Sequence, residues 1–173
     1  DYIHILIKIQ YLNEAKKWLT IFQTRYKNSK EYYLLLGHVY FKEKNWPQAN
    51  HYYHKTLNHD PNNFHACYNL GLIGSIQENF DSACTFFEKC KLLTKNLPPH
   101  YHQNFGMALL YEQRVEESLE HLRLASHFLP KDVEVLFHLG LCNHLLGQFE
   151  QAQSSYEQAL CIDPKHCPSL HNL

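Results

Sequence analysis

The 173-residue sequence has no excess of either charge: sixteen Lys and Arg stand against seventeen Asp and Glu. A dedicated nucleic-acid binder shows a clear surplus of cations, so that class is excluded. No apolar run approaches the about 18–20 residues that cross a bilayer, so no membrane insertion is expected. The apolar stretch from Ile3 to Ile9 contains His4 and Lys8, and no small-residue cleavage site follows it, so no signal peptide is expected there. Glycine and proline are few, at six and seven, while hydrophobic residues make up 45%, which excludes disorder. Charged residues are also scarce at 19%, and Asn, Gln and fourteen His take their place. None of the six cysteines forms a CxxC pair, and reduced, mostly buried thiols in a cytoplasmic protein are expected.

What is present is a repeat. Leu36-Gly37, Leu70-Gly71, Phe105-Gly106 and Leu139-Gly140 recur at spacings of 34, 35 and 34 residues. Ala49, Ala83, Ser118 and Ala152 follow in the same register, each twelve residues after its glycine. Pro61, Lys95, Pro130 and Pro164 close the units. Within a unit the pattern is that of two helices. Tyr33, Leu36, Gly37 and Tyr40 make one helical stripe, and Lys44-Asn45 breaks it. Pro47 then opens a second helix that carries Ala49, Tyr53 and Thr56 on its inner face. Gly37 and Ala49 let the two helices approach closely. Asn79 and Gly147 fall in turns that favour residues tolerant of positive φ.

These residues resemble the tetratricopeptide repeat, a unit of 34 residues with Leu-Gly, Tyr, Ala, an aromatic, Ala and Pro at fixed places. Tyr33, Leu36-Gly37, Tyr40, Ala49, Tyr53 and Pro61 match it, with Thr56 in place of Ala. Leu136, Leu139-Gly140, Ala152, Tyr156, Ala159 and Pro164 match it again, with Asn143 in place of Tyr. Other departures are Gly74 for Tyr, Ser118 for Ala and Lys95 for Pro. The resemblance implies an all-α fold, a right-handed superhelical solenoid of antiparallel helix pairs. Full repeats are expected at 30–63, 64–98, 99–132 and 133–166, with a partial repeat over 1–29 and the start of another over 167–173. The expectation is a segment of a longer protein.

The resemblance further implies that the first helix of each repeat lines a concave groove. Carried onto this sequence, its groove positions give Leu34, His38 and Phe41, then Tyr68, Asn69 and Leu72. The third repeat gives Gln103, Asn104, Met107 and Tyr111, and the fourth gives Phe137, His138 and Leu141. This apolar and aromatic surface, interspersed with neutral polar groups, suits a peptide or a partner segment. Asn69, Asn104 and Asn172 share one repeat position, with His138 at the same place. An amide both donates and accepts, so such residues can hold an extended backbone, as in the asparagine ladder of O-GlcNAc transferases; they can equally serve packing between units. A clamp for a chaperone's C-terminal carboxylate is disfavoured, because Lys42 is the one cation at these groove positions of the four full repeats.

No catalytic residue, cofactor or metal is expected. The fourteen histidines show neither HExxH nor another ligand spacing, and solvated or hydrogen-bonded rings are the plain reading. His38, His65, His138 and His144 could alternatively give a groove a pH response. No cysteine has a neighbouring base, and no phosphate-binding or G-x-S-x-G motif occurs. Trp18, Trp46, Phe80 and Phe149 near helix starts read as packing wedges. The expected function is therefore a non-catalytic scaffold for a peptide or protein partner. A recognition arm of a larger glycosyltransferase, or an element that self-associates through uncapped ends bearing Leu170 and Leu173, stands as the alternative.

Overall fold

The computed structural model describes residues 2–26 and 29–172. Leu173, expected as an apolar position of a further repeat, lies outside them. The chain divides into two compact units, Asp1–Gln77 and Glu78–Leu173. The first holds α1 (Tyr2–Lys8), α2 (Leu12–Tyr26), α3 (Lys30–Lys42), α4 (Trp46–His59) and α5 (Phe64–Ile76). The second holds α6 (Phe80–Leu93), α7 (Pro99–Tyr111) and α8 (Val115–Phe128), then α9 (Val133–Leu145), α10 (Phe149–Ile162) and α11 (Cys167–Asn172). The described residues contain no strand.

Five helices begin at a polar residue whose side chain caps them. Ser29, Asn45, Asn63, Asn79 and Asp132 each accept a backbone N–H three residues on, satisfying an orphan donor of the first turn. Positive φ recurs at Gln10, Lys44, Glu78, Gln113 and Gly147, the residues that turn the chain between the two helices of a repeat. Asn79 therefore differs from its expected role. It caps α6 with φ of −93°, and the preceding Glu78 takes the left-handed conformation instead. An Asn side chain one residue into the turn is better used as a helix cap.

Short turns bring consecutive helices side by side and antiparallel. In the first unit α1 packs on α2 and α3, and α3 packs in turn on α4. In the second, α7 packs on α6, α8 and α9, and α9 on α10. Buried positions recur with the repeat: Val39, Ile73, Ala108 and Cys142 share one repeat position and are at most 1% exposed. The connection from α6 to α7 spans 94–98, one residue longer than 129–132 and 163–166, as the extra residue near Leu97-Pro98-Pro99 requires. At the last helix, Ser169 takes the buried place and Leu170 is 55% exposed, because α11 packs on α10 and its repeat has no second helix among the described residues.

Candidate functional site

In the first unit, α3 and α5 present the expected face. Leu34, His38 and Phe41 on α3 are half-buried, as are Tyr68, Asn69 and Leu72 on α5. Partial burial fixes these side chains while leaving a contact surface. Phe41 meets Trp46 edge-on at 5.3 Å, so Trp46 is the wedge the sequence suggested. Tyr68 stacks on Phe64 at 5.9 Å. Asn69 donates Nδ2–H to the His65 carbonyl at 2.7 Å, which locks its rotamer and leaves a second N–H and the amide oxygen for other partners.

Beside this face lies a cavity of about 380 Å³. Helix α1 contributes His4, Ile7 and Lys8 to its wall, and α3 contributes His38, Phe41 and Lys42. Tyr53 from α4 and Asn69 from α5 complete it. The His4 and His38 rings stand 6.0 Å apart, and the His38 ring meets Tyr53 edge-on at 5.7 Å. Burial lowers the His38 pKa to about 4, with His4, His65 and Lys42 adding positive field. Burial also lowers that of His4 and raises that of the Tyr53 phenol, which therefore stays a donor. The Tyr53 hydroxyl is buried without a hydrogen-bond partner.

In the second unit, α7 and α9 present the corresponding face. Asn104 repeats the Asn69 geometry, with Nδ2–H on the His100 carbonyl at 2.7 Å. Gln103 donates to Asp132 Oδ2 at 3.2 Å, which ties α7 to the start of α9. Met107 and Leu141 are partly buried and pack against the cluster of Leu110, Leu119, Leu122 and Cys142. Tyr111 is exposed and stacks on Phe80 at 4.6 Å. Phe137 is half-buried against Tyr156 and His166. His138 departs from expectation: it is only 4% exposed, and its Nδ1 meets the Glu134 carbonyl at 2.7 Å. An imidazole is bulkier than an amide and folds back over the helix, so this position is part of the packing.

A family model for the tetratricopeptide repeat matches residues 133–166. The chain is built of tetratricopeptide repeats. A second model, described as a domain of unknown function (DUF6340), matches residues 35–117. The BBSome complex member BBS4 of Bos taurus is 25% identical over 130 residues, 75% of this chain and 25% of that protein. The protein O-mannosyl-transferase Tmtc3 of Drosophila melanogaster is 27% identical over 122 residues, 69% of this chain and 13% of that protein. The chain thus spans at most about a quarter of these relatives. Among solved structures, YrrB, a TPR protein with an unusual peptide-binding site, superposes with a TM-score of 0.82 at 20% identity, covering 98% of this chain and 87% of its own. A MamA RS-1 double mutant gives 0.80 at 18% identity over 94% and 91%. Identities this low show the fold.

The tetratricopeptide register did not point to three groups in the cavity wall, His4, Lys8 and the Tyr53 hydroxyl. His4 and Lys8 lie 34 residues before His38 and Lys42, so the repeat spacing itself carried the signal. The Tyr53 ring is core, as its place on the inner face of the second helix implies, and only its hydroxyl reaches the cavity. Four cysteines are buried, and Cys161 and Cys167 are exposed. Among the described residues no three His, Cys, Asp or Glu side chains gather as metal ligands, and no helix is long and apolar enough to cross a membrane.

Proposed function

We propose that this chain is a non-catalytic recognition scaffold, whose first-helix faces each hold a segment of an extended peptide or protein partner. The observation that carries the reading is the shared geometry of Asn69 and Asn104. Each amide is oriented by one N–H bonded to the carbonyl four residues back, and in Asn69 this preorganises the rest of the group for a ligand backbone. Half-buried Leu34, Phe41, Tyr68 and Leu72 in the first unit, with Met107, Phe137 and Leu141 in the second, supply apolar contact beside those amides. The solved relative described as having a peptide-binding site supports this class of ligand.

The test is a folded Asn69→Ala/Asn104→Ala variant, titrated with a labelled peptide selected on the wild-type chain. Affinity falls by about 1–3 kcal/mol if the amides bind backbone. Unchanged affinity removes them from the site. A second reading follows from the fly relative, whose name identifies an O-mannosyl-transferase. In that reading the repeats present a polypeptide to a glycosyl-transferring domain elsewhere in a longer protein. Mass spectrometry of the native polypeptide carrying this segment decides between them.

A further inference from the structure

The second unit holds a separate cavity of about 380 Å³, and neither Phe137 nor Leu141 lines it. Helix α9 packs on both α8 and α10, and the cleft lies where the three meet. Leu139 and the buried Asn143 and Ser155 form its floor. Arg123 of α8 stands on one side, and Glu150, Gln151 and Ser154 of α10 stand on the other, all four exposed.

The repeat explains why the space is there. At the positions of Asn143 and Ser155 the first repeat has Tyr40 and Tyr52, whose rings stack at 5.4 Å. The Lys16 ammonium lies 5.0 Å from the centre of the Tyr40 ring. The second repeat has Gly74 and Phe86 at these positions, and the third has Leu109 and His121. Of the four full repeats, the fourth alone carries no ring at either place, and the volume is open. It opens onto an unmet polar group: Asn143 is 3% exposed, and its Oδ1 is buried without a hydrogen-bond partner. Such an acceptor is destabilising until a donor reaches it.

We infer that this cleft takes the side chain of a tyrosine from a partner polypeptide, its ring in the open volume and its hydroxyl donating to Asn143 Oδ1. The floor calls for a donor, which a carboxylate lacks. A lysine ammonium would meet the same acceptor, but Arg123 repels a cation there. A cavity of about 150 Å³ holds a benzene ring, so this one admits a phenol with part of its backbone. Arg123 forms no ion pair among the described residues, whereas Arg114 on the same wall pairs with Glu88 and Glu117. A guanidinium without an anion stacks on an aromatic face, as the Lys16 ammonium does on Tyr40. Glu150, Gln151 and Ser154 offer acceptors and donors to the peptide groups on either side of the tyrosine. A ring with a polar tip suits a cleft whose mouth is wet and whose floor is dry.

The experiment titrates the isotope-labelled chain with N-acetyl-L-tyrosinamide and, separately, with N-acetyl-L-phenylalaninamide, following amide shifts by NMR. The tyrosine probe should move the amides of Leu139, Asn143, Gln151 and Ser155. It should bind at least about fivefold more tightly than the phenylalanine probe, which leaves Asn143 Oδ1 unpaired. Asn143→Leu removes the acceptor and fills the space, and should weaken the tyrosine probe by about tenfold or more with near-UV circular dichroism intact. Arg123→Gln, at an exposed side chain, should weaken both probes by about two- to fivefold, since the guanidinium acts on either ring. Equal affinity for the two probes, indifference to Asn143→Leu, or no saturable shift in the cleft overturns the tyrosine site. Shifts confined to the face of Phe137 and Leu141 also overturn it, and leave the groove reading standing.

Discussion

The ring of Tyr53 fills the space above Gly37: a Cβ on that glycine would stand 2.5 Å from Tyr53 Cε1 and 2.6 Å from Cδ1. The same relationship recurs a hundred residues later, where a Cβ on Gly140 would stand 2.5 Å from Tyr156 Cε1. Small residue and aromatic ring are thus a matched pair, one from each helix of a repeat. Gly37→Ala forces a fully buried ring to move, and we expect it to destabilise the protein by about 1–3 kcal/mol. Urea unfolding checks this; a midpoint equal to wild type would show that the helices separate freely.

Gly147 isolates the backbone contribution, because nothing lies within 4 Å of where its Cβ would be. Its φ is +73°, a conformation that costs an L-residue about 1 kcal/mol. Gly147→Ala should therefore lower stability by about that amount, with packing intact. Retained near-UV circular dichroism and a small fall in Tm are the expected signature.

Asn143 stands where a bulky tyrosine is usual in the repeat. It is 3% exposed, and its amide oxygen has no hydrogen-bond partner. Replacing it with an apolar group of similar size removes that penalty. Asn143→Leu should raise unfolding free energy by about 1 kcal/mol, and a loss of stability would show that the amide is satisfied in solution.

His121 makes stability depend on pH. It is 8% exposed, and its Nδ1 stands 2.9 Å from Nδ1 of His102, so the pair shares a single hydrogen there. Lys91, Glu117 and the ring of Phe105 also face it. Burial, with His102 and Lys91, lowers its pKa from 6.5 to about 4. In the unfolded chain it protonates near 6.5, so below that pH the unfolded state binds more protons and stability falls. His121 thus contributes a loss of up to about 1.4 kcal/mol per pH unit between pH 6.5 and 4. Denaturation midpoints across that window check this, and His121→Leu should flatten the slope. An unaltered slope would place the titration elsewhere.

The repeat made most of the fold legible. Three markers in one register placed every helix pair from α3 to α10, since each marker answers a steric need such as that of Gly37 under Tyr53. Burial at the shared repeat position of Val39, Ile73, Ala108 and Cys142 was not legible. A first helix packs on its own partner and on a neighbouring pair, so its buried arc is wide and the helical period blurs. Position within the repeat did not reveal that His138 is buried, because burial of an imidazole depends on where its ring folds back. The lysines of the cavity were split between a partial repeat and a full one, and only packing of α1 on α3 brings Lys8 to Lys42.

Holding of ligands by the faces of the first helices can be read residue by residue. Mapping backbone amide shifts by NMR, with a peptide selected on the wild-type chain, tests it most directly. Perturbations are expected around Leu34, Phe41, Tyr68, Asn69 and Leu72 in the first unit, or around Asn104, Met107, Phe137 and Leu141 in the second. Shifts confined to exposed residues of α4, α8 and α10, such as His51, Glu120 and Glu157, would contradict it.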